Sequence, residues 1–141
     1  MFENAVVTST NRMSLQDFLL DRGFIVEEME GEILSVKRPG ELPVFIGFNN
    51  NSLFFEVDLG NISGFADRDL YYKILDLNTE ILPVSVGIDS TNTDDPRLVL
   101  VETREIVNLD DNEVLSVLDA MEIAVDKVEE LLSAYVKSDE Q

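Results

Sequence analysis

Paired carboxylates are the groups in this chain whose number and spacing could support chemistry near neutral pH. Glu27-Glu28, Asp94-Asp95 and Asp110-Asp111 recur within a set of 29 acidic residues. Two carboxyls facing one cleft can share acid and base roles, as in glycoside hydrolysis. Adjacent acids on a strand, however, point to opposite faces, and acids at a helix start serve its positive end. The run Asp89-Ser90-Thr91-Asn92-Thr93-Asp94-Asp95 offers oxygen ligands in a loop, as calcium requires. It lacks the central glycine and terminal glutamate of a calcium-binding hand and reads better as a loop of polar turn-formers. The chain has no histidine and no cysteine. The usual general base, thiolate chemistry, disulfides and cysteine-held zinc are therefore all missing. No glycine-rich phosphate motif occurs. The expectation is a protein with no catalytic residue, no cofactor and no metal.

Charge narrows the partners. Ten basic residues leave a net charge of −19, with the acids spread along the whole chain. That field repels phosphate backbones and anionic lipid heads, which argues against nucleic acid and against membrane attachment. An even spread of this kind suits a solvated surface that serves solubility, or a basic or amphipathic protein partner. At 45% hydrophobic, with eight Phe and three Tyr, the chain can still bury a core, unlike a disordered polyanion. Met1–Thr10 has no basic segment followed by an apolar run, and no stretch approaches the ~20 apolar residues of a membrane span. The expected location is cytoplasmic.

The elements that must position any site are well signalled. Residues 1–12 read as a flexible lead-in. Ser14 opens a capping-box-like start, Leu15, Phe18 and Leu19 form one stripe, and Gly23 closes the helix. Phe24–Met29 and Glu32–Arg38 are strand-like runs around a Glu30-Gly31 turn, and Pro39-Gly40 makes the next turn. In Leu42–Phe48, the residues Leu42, Val44, Ile46 and Phe48 share a face; in Ser52–Leu59, Leu53, Phe55, Val57 and Leu59 do. A two-residue Asn50-Asn51 turn pairs Phe48 with Leu53, Ile46 with Phe55, Val44 with Val57 and Leu42 with Leu59. One residue more would set apolar against polar side chains. Asn tolerates the positive φ such a turn needs.

Asp67 then caps a second helix with Leu70, Tyr71, Ile74, Leu77 and, beyond them, Ile81 on its apolar face, stopped by Pro83. Val84, Val86 and Ile88 alternate as a fifth strand, and Arg97–Ile106 makes a sixth. Asp110 or Asp111 caps a long last helix with a stripe through Val114, Leu118, Met121, Val125, Val128, Leu132 and Tyr135, widened by Val117, Ala124 and Leu131. Such a stripe suits a helix laid across its own sheet or, alternatively, a two-helix seam in a homodimer. The order α-β-β-β-β-α-β-β-α, with hairpins and segregated helices, predicts an α+β fold with an antiparallel sheet and helices packed on it. The expected organisation is a lead-in 1–12, one domain over 13–137 and a tail 138–141.

The second face of the central hairpin holds the candidate contact residues. Phe54 falls opposite Gly47 and Phe45 opposite Glu56, so the two phenylalanines are diagonal neighbours within reach. Covered by a helix, they are core. Left open beside a glycine, they form an apolar patch for a partner or a second subunit, with Glu56 placed to meet a partner's Lys or Arg.

The succession of elements resembles the small acidic secretion-chaperone fold of type III secretion chaperones and their YbjN-like relatives. More narrowly, Leu42-Pro43-Val44-Phe45-Ile46, then Leu77-Asn78-Thr79-Glu80-Ile81-Leu82-Pro83-Val84-Ser85, and the acidic helix Asp110–Tyr135 resemble the bacterial YjfI-like family of unknown function, which is associated with PspA-like membrane-stress proteins. The resemblance spans roughly residues 14–136 and brings no catalytic residues with it. It implies a chaperone-like fold that acts by binding other proteins. The expected function is a non-catalytic binding module or small chaperone for a protein client. The alternative is a self-associating structural or regulatory subunit that uses the heptad helix.

Overall fold

A computed structural model describes residues 6–7 and 13–139. Three helices and six strands follow in the expected order: α1 (Leu15–Asp21), β1 (Ile25–Met29), β2 (Ile33–Lys37), β3 (Val44–Asn49), β4 (Ser52–Gly60), α2 (Arg68–Leu77), β5 (Ser85–Asp89), β6 (Arg97–Glu105) and α3 (Asp111–Asp139). The strands form one six-stranded antiparallel sheet in the order β1-β2-β3-β4-β6-β5. Contacts divide the chain into two compact units, Met1–Val57 with Glu102–Asp119 and Asp58–Val101 with Ala120–Gln141.

In the first unit, Ser14 accepts from the Asp17 N–H at 3.2 Å and so starts α1, as its sequence signals. Gly23 ends it at φ +86°, a conformation that costs a residue with a Cβ. Leu15, Phe18 and Leu19 are buried. Most of the expected lead-in 1–12 lies outside the described residues. Val7, which is described, is fully buried and donates to the Met13 carbonyl at 2.9 Å. Arg38 stacks over the Phe24 ring at 4.9 Å and reaches Asp119 of α3 at 2.9 Å, tying α3's first turns to this unit.

The β1–β2 hairpin differs from expectation at one residue. Met29 pairs with Ile33 around a three-residue loop in which Gly31 and Glu32 both have positive φ. Glu32 therefore belongs to the turn and not to the strand. The β3–β4 hairpin keeps the expected register: Phe48↔Leu53, Ile46↔Phe55, Gly47↔Phe54 and Phe45↔Glu56. Its buried face carries Val44, Ile46, Leu53, Phe55 and Val57. Phe48 and Leu59 of the same face are half-buried, and Leu42 departs furthest. It precedes the strand and is exposed, because the chain leaves the Pro39-Gly40 turn before the ladder begins.

In the second unit Asp67 caps α2 by accepting from the Leu70 N–H at 2.9 Å, and Leu70 and Ile74 are buried. The helix ends at Leu77, well short of Pro83. Asn78 is its C-cap, and the Asn78 side-chain oxygen accepts from the Val86 N–H at 2.7 Å on β5. That bond supplies a partner to the backbone of an edge strand. Ile88, expected to share the buried face with Val84 and Val86, is exposed where β5 runs out.

Asp110 starts α3, its carboxylate accepting from the Asn112 N–H at 2.8 Å. Along α3 the residues Val114, Val117, Leu118, Met121, Ala124 and Val128 are buried. Val125, Leu132 and Tyr135 are only half-buried. The buried line runs through Ala124 and not Val125, since a straight helix drifts about 20° per heptad from a strict seven-residue repeat. From Val114 to Val128 this line packs within the chain's own core. Helix α3 also runs through part of the expected tail, and Glu140 and Gln141 lie outside the described residues.

Candidate functional site

The candidate contact residues sit on the face of the β1–β4 ladder opposite its core. Strand alternation sends Phe55 and Ile46 inward, where neither is exposed at all, and turns Phe45 and Phe54 to the other side. Both phenylalanines are half-buried, neither sealed in a core nor standing free. The register extends their surroundings across four strands. Met29 pairs with Ile33, Leu34 with Ile46 beside it, and Gly47 with Phe54. Met29, Ile33, Gly47 and Phe54 therefore form one row, with Phe45 a diagonal step away. Met29 is 43% and Ile33 37% exposed. A Cβ added at Gly47 would meet Ile33 Cγ1 at 3.8 Å, so Ile33 leans over the space that the glycine leaves.

Met29 and Ile33 lie outside the contact residues expected from the sequence. Their signal was present in the two strand-like runs. It became legible only once the turn length showed which positions share the row. Glu56, opposite Phe45, is half-buried and already engaged within the chain. Ile25 and Lys37 pair at the far end of the same face, and Ile25 is well exposed. Strand β1 is the edge of the sheet, and an edge leaves backbone donors and acceptors available to another chain.

The electrostatic outlier lies elsewhere in the first unit. Glu102 on β6 is buried, with its side chain 3% exposed, and pairs with Arg104 Nη1 at 2.5 Å. Beyond that ion pair neither carboxylate oxygen has a hydrogen-bond donor. Burial pushes its pKa up, against the opposing pull of the Arg104 charge. A single buried acid with an arginine beside it has no second carboxylate to share a proton with, so it does not make a hydrolytic pair.

The acids of the 89–95 loop serve local structure, whereas Glu27 and Glu28 are exposed on β1. Asp89 accepts from both the N–H and the hydroxyl of Thr91, at 2.9 and 2.6 Å. Those bonds hold its pKa below the ordinary carboxylate value. Asn92 accepts from the Asp94 N–H at 3.1 Å. Asp95 is bound by the Asn61 amide at 2.9 Å and by Arg97 at 3.2 Å, which lowers its pKa in that order of effect. Arg97 also clamps Asp58 at 3.1 Å. The loop is thus organised by its own side chains. Among the described residues no group of three acids is arranged to hold a metal ion. No described helix is long and apolar enough to cross a membrane.

The second unit presents its own apolar residues on α2. Tyr72 is 72% and Leu75 66% exposed, one helical turn apart. At the start of α2, the Tyr135 hydroxyl bonds the Asp67 carboxylate and lowers its pKa, with the Leu70 N–H adding to the effect.

The profile of the CesT_Tir_1 family, a family of type III secretion chaperones, matches residues 9–138. The chain belongs to that family. Three solved structures share its CesT_Tir_1 fold at low identity. A chain of the heterodimeric ExoU–SpcU complex from the type III secretion system of Pseudomonas aeruginosa superposes with a TM-score of 0.66 at 16% identity, over 83% of this chain and 96% of that one. YbjN from E. coli gives 0.57 at 17% identity, over 88% and 90%. The Yersinia pestis type III secretion chaperone SycH, in complex with a fragment of YscM2, gives 0.56 at 22% identity, over 83% and 95%. At these identities the likeness establishes the fold. No curated protein has a sequence significantly similar to this one. Membership in the CesT_Tir_1 family supports a chaperone-like, protein-binding role.

Proposed function

We propose that the protein is a non-catalytic, cytoplasmic binding module that holds a basic or amphipathic segment of a client protein on the open face of the β1–β4 ladder. The observation that carries this reading is the apolar row Met29–Ile33–Gly47–Phe54, with Phe45 beside it, on the face turned away from the core. Apolar contact there would supply affinity, and the −19 field would steer a basic client to it. Family membership and the two chaperone-related complexes among the structural neighbours support a protein client. The narrower resemblance to YjfI-like proteins makes PspA-like proteins candidate clients, since basic faces on long helices would complement this charge.

The test is capture of partners by the tagged protein from its native cells at low salt after mild cross-linking, with the captured proteins identified by mass. The Phe54→Glu variant should retain the far-UV spectrum and melting temperature of the parent and lose the specific partner. A variant that stays folded and captures the same partner equally well would rule the face out.

Self-association is a second reading. Val114, Val117, Leu118, Met121, Ala124 and Val128 of the α3 stripe are buried within the chain, whereas Tyr72 and Leu75 stand open on α2, which favours α2 as the surface of a homodimer. Sedimentation at several concentrations, with and without Leu75→Glu, decides it: a monomer throughout removes this reading.

A further inference from the structure

The second unit contains an open groove of ≈ 380 Å³ lined by Leu77 and Glu80, at and just beyond the end of α2, and by Lys127, Glu130, Leu131 and Ala134 of α3. Its floor is apolar, from Leu77, Leu131 and Ala134. Its rim carries two carboxylates, Glu80 and Glu130, and neither has an ion-pair partner among the described residues. The one cation, Lys127, points its ammonium at the Glu80 backbone carbonyl, 3.4 Å away. That carbonyl belongs to the turn that follows α2. Asp126 and Glu129 are exposed on the adjoining turns of α3 and add to the negative field.

We propose that this groove is a second contact point for the client, taking one apolar side chain that is flanked by lysine or arginine. The apolar floor accepts the side chain, and the two unpaired carboxylates select the flanking cations. Lys127, held on the Glu80 carbonyl, leaves both carboxylates available. An acidic segment is excluded by the same carboxylates. The proposal rests on the protein-binding reading but not on the sheet face, and the two fail separately.

The test uses a labelled peptide with one central leucine among lysines, a control peptide with alanine in place of the leucine, and full-length protein with labelled methyl groups. Anisotropy gives affinity, and methyl spectra give location. Expected is binding at least about tenfold tighter for the leucine peptide than for the alanine control. The Leu77, Leu131 and Ala134 methyl signals should shift. The Ala134→Arg substitution, at an exposed helical position, should abolish the difference between the two peptides without changing the melting temperature, and Glu130→Lys should weaken both. Equal affinity for the two peptides would show attraction to an anionic surface alone and overturn the proposal. Leucine-dependent shifts confined to residues around Phe45 and Phe54 would also overturn it while leaving the sheet face standing. Concentration-dependent shifts of the groove methyls without peptide would give the groove to a second copy of the chain instead.

Discussion

Removing Arg104 should destabilise this protein far more than neutralising the acid it accompanies. Glu102 is buried on β6 with Arg104 as its ion-pair partner and no other donor at either oxygen. Arg104→Ala leaves a buried carboxylate unpaired at neutral pH, which typically costs about 3–5 kcal/mol. Glu102→Gln removes the charge that burial penalises. It frees Arg104, whose side chain is 28% exposed and can carry its guanidinium to water while its stem stays packed. That variant should fall within about 1 kcal/mol of the parent, or above it. In the Glu102→Gln background, Arg104→Ala should cost only the packing of the stem, so the double-mutant cycle should return a coupling of about 2 kcal/mol or more.

The pH dependence follows from the direction of the shift. Burial raises the pKa of Glu102 in the folded state above its ordinary value. The native state thus takes up this proton more readily than the unfolded chain, and the group's contribution to stability rises as pH falls through the folded-state pKa and is complete below the unfolded-state value. The advantage of Glu102→Gln over the parent should be largest at neutral pH and vanish in acid. The parent serves as the control for the general relief of repulsion in so acidic a chain. Urea denaturation of the parent, both single variants and the double variant from pH 4.5 to 8 reads all four quantities. A harmless Arg104→Ala, together with a Glu102→Gln that costs more than about 2 kcal/mol at pH 7, would refute the reasoning, because it would mean that the carboxylate is well satisfied where it sits.

Other outcomes are expected on the same grounds. Met121→Ala, at a fully buried position on α3, should cost about 2–5 kcal/mol in urea denaturation. Val125→Glu, at a half-buried position on the same helix, should cost clearly less, and equal losses would place the buried side of α3 elsewhere. Asp67→Ala removes both the N-cap of α2 and the acceptor for the Tyr135 hydroxyl. It should lower stability by about 1 kcal/mol or more, with Tyr135→Phe reproducing only part of that loss. Asn78→Ala should speed amide exchange at Val86, whose N–H the Asn78 side chain binds, and unchanged protection there would show that another acceptor takes over.

Much of this fold was legible in the chain because its signals are local. Ser14, Asp67 and Asp110 act as caps within their own turns, and Gly23 stops α1. The alternation of two apolar runs around Asn50-Asn51 admits one register that keeps apolar residues opposite each other. The missing histidine and cysteine, and the excess of acid, narrowed the function by composition alone.

What the sequence could not determine is whatever depends on which residues meet across distance. The placement of β6 between β4 and β5 is a matter of chain return, not of local pattern. The three-residue loop after Met29 set the pairing that carried Met29 and Ile33 into line with Gly47 and Phe54, because a shift of one residue turns every side chain of a strand to the other face. Glu102 looks like any other acid until the sheet buries it beside Arg104. The stripe on α3 fits two chains as well as one, and only packing shows which of its residues are buried within the chain itself. Periodicity records which face of an element is apolar; packing decides what covers it.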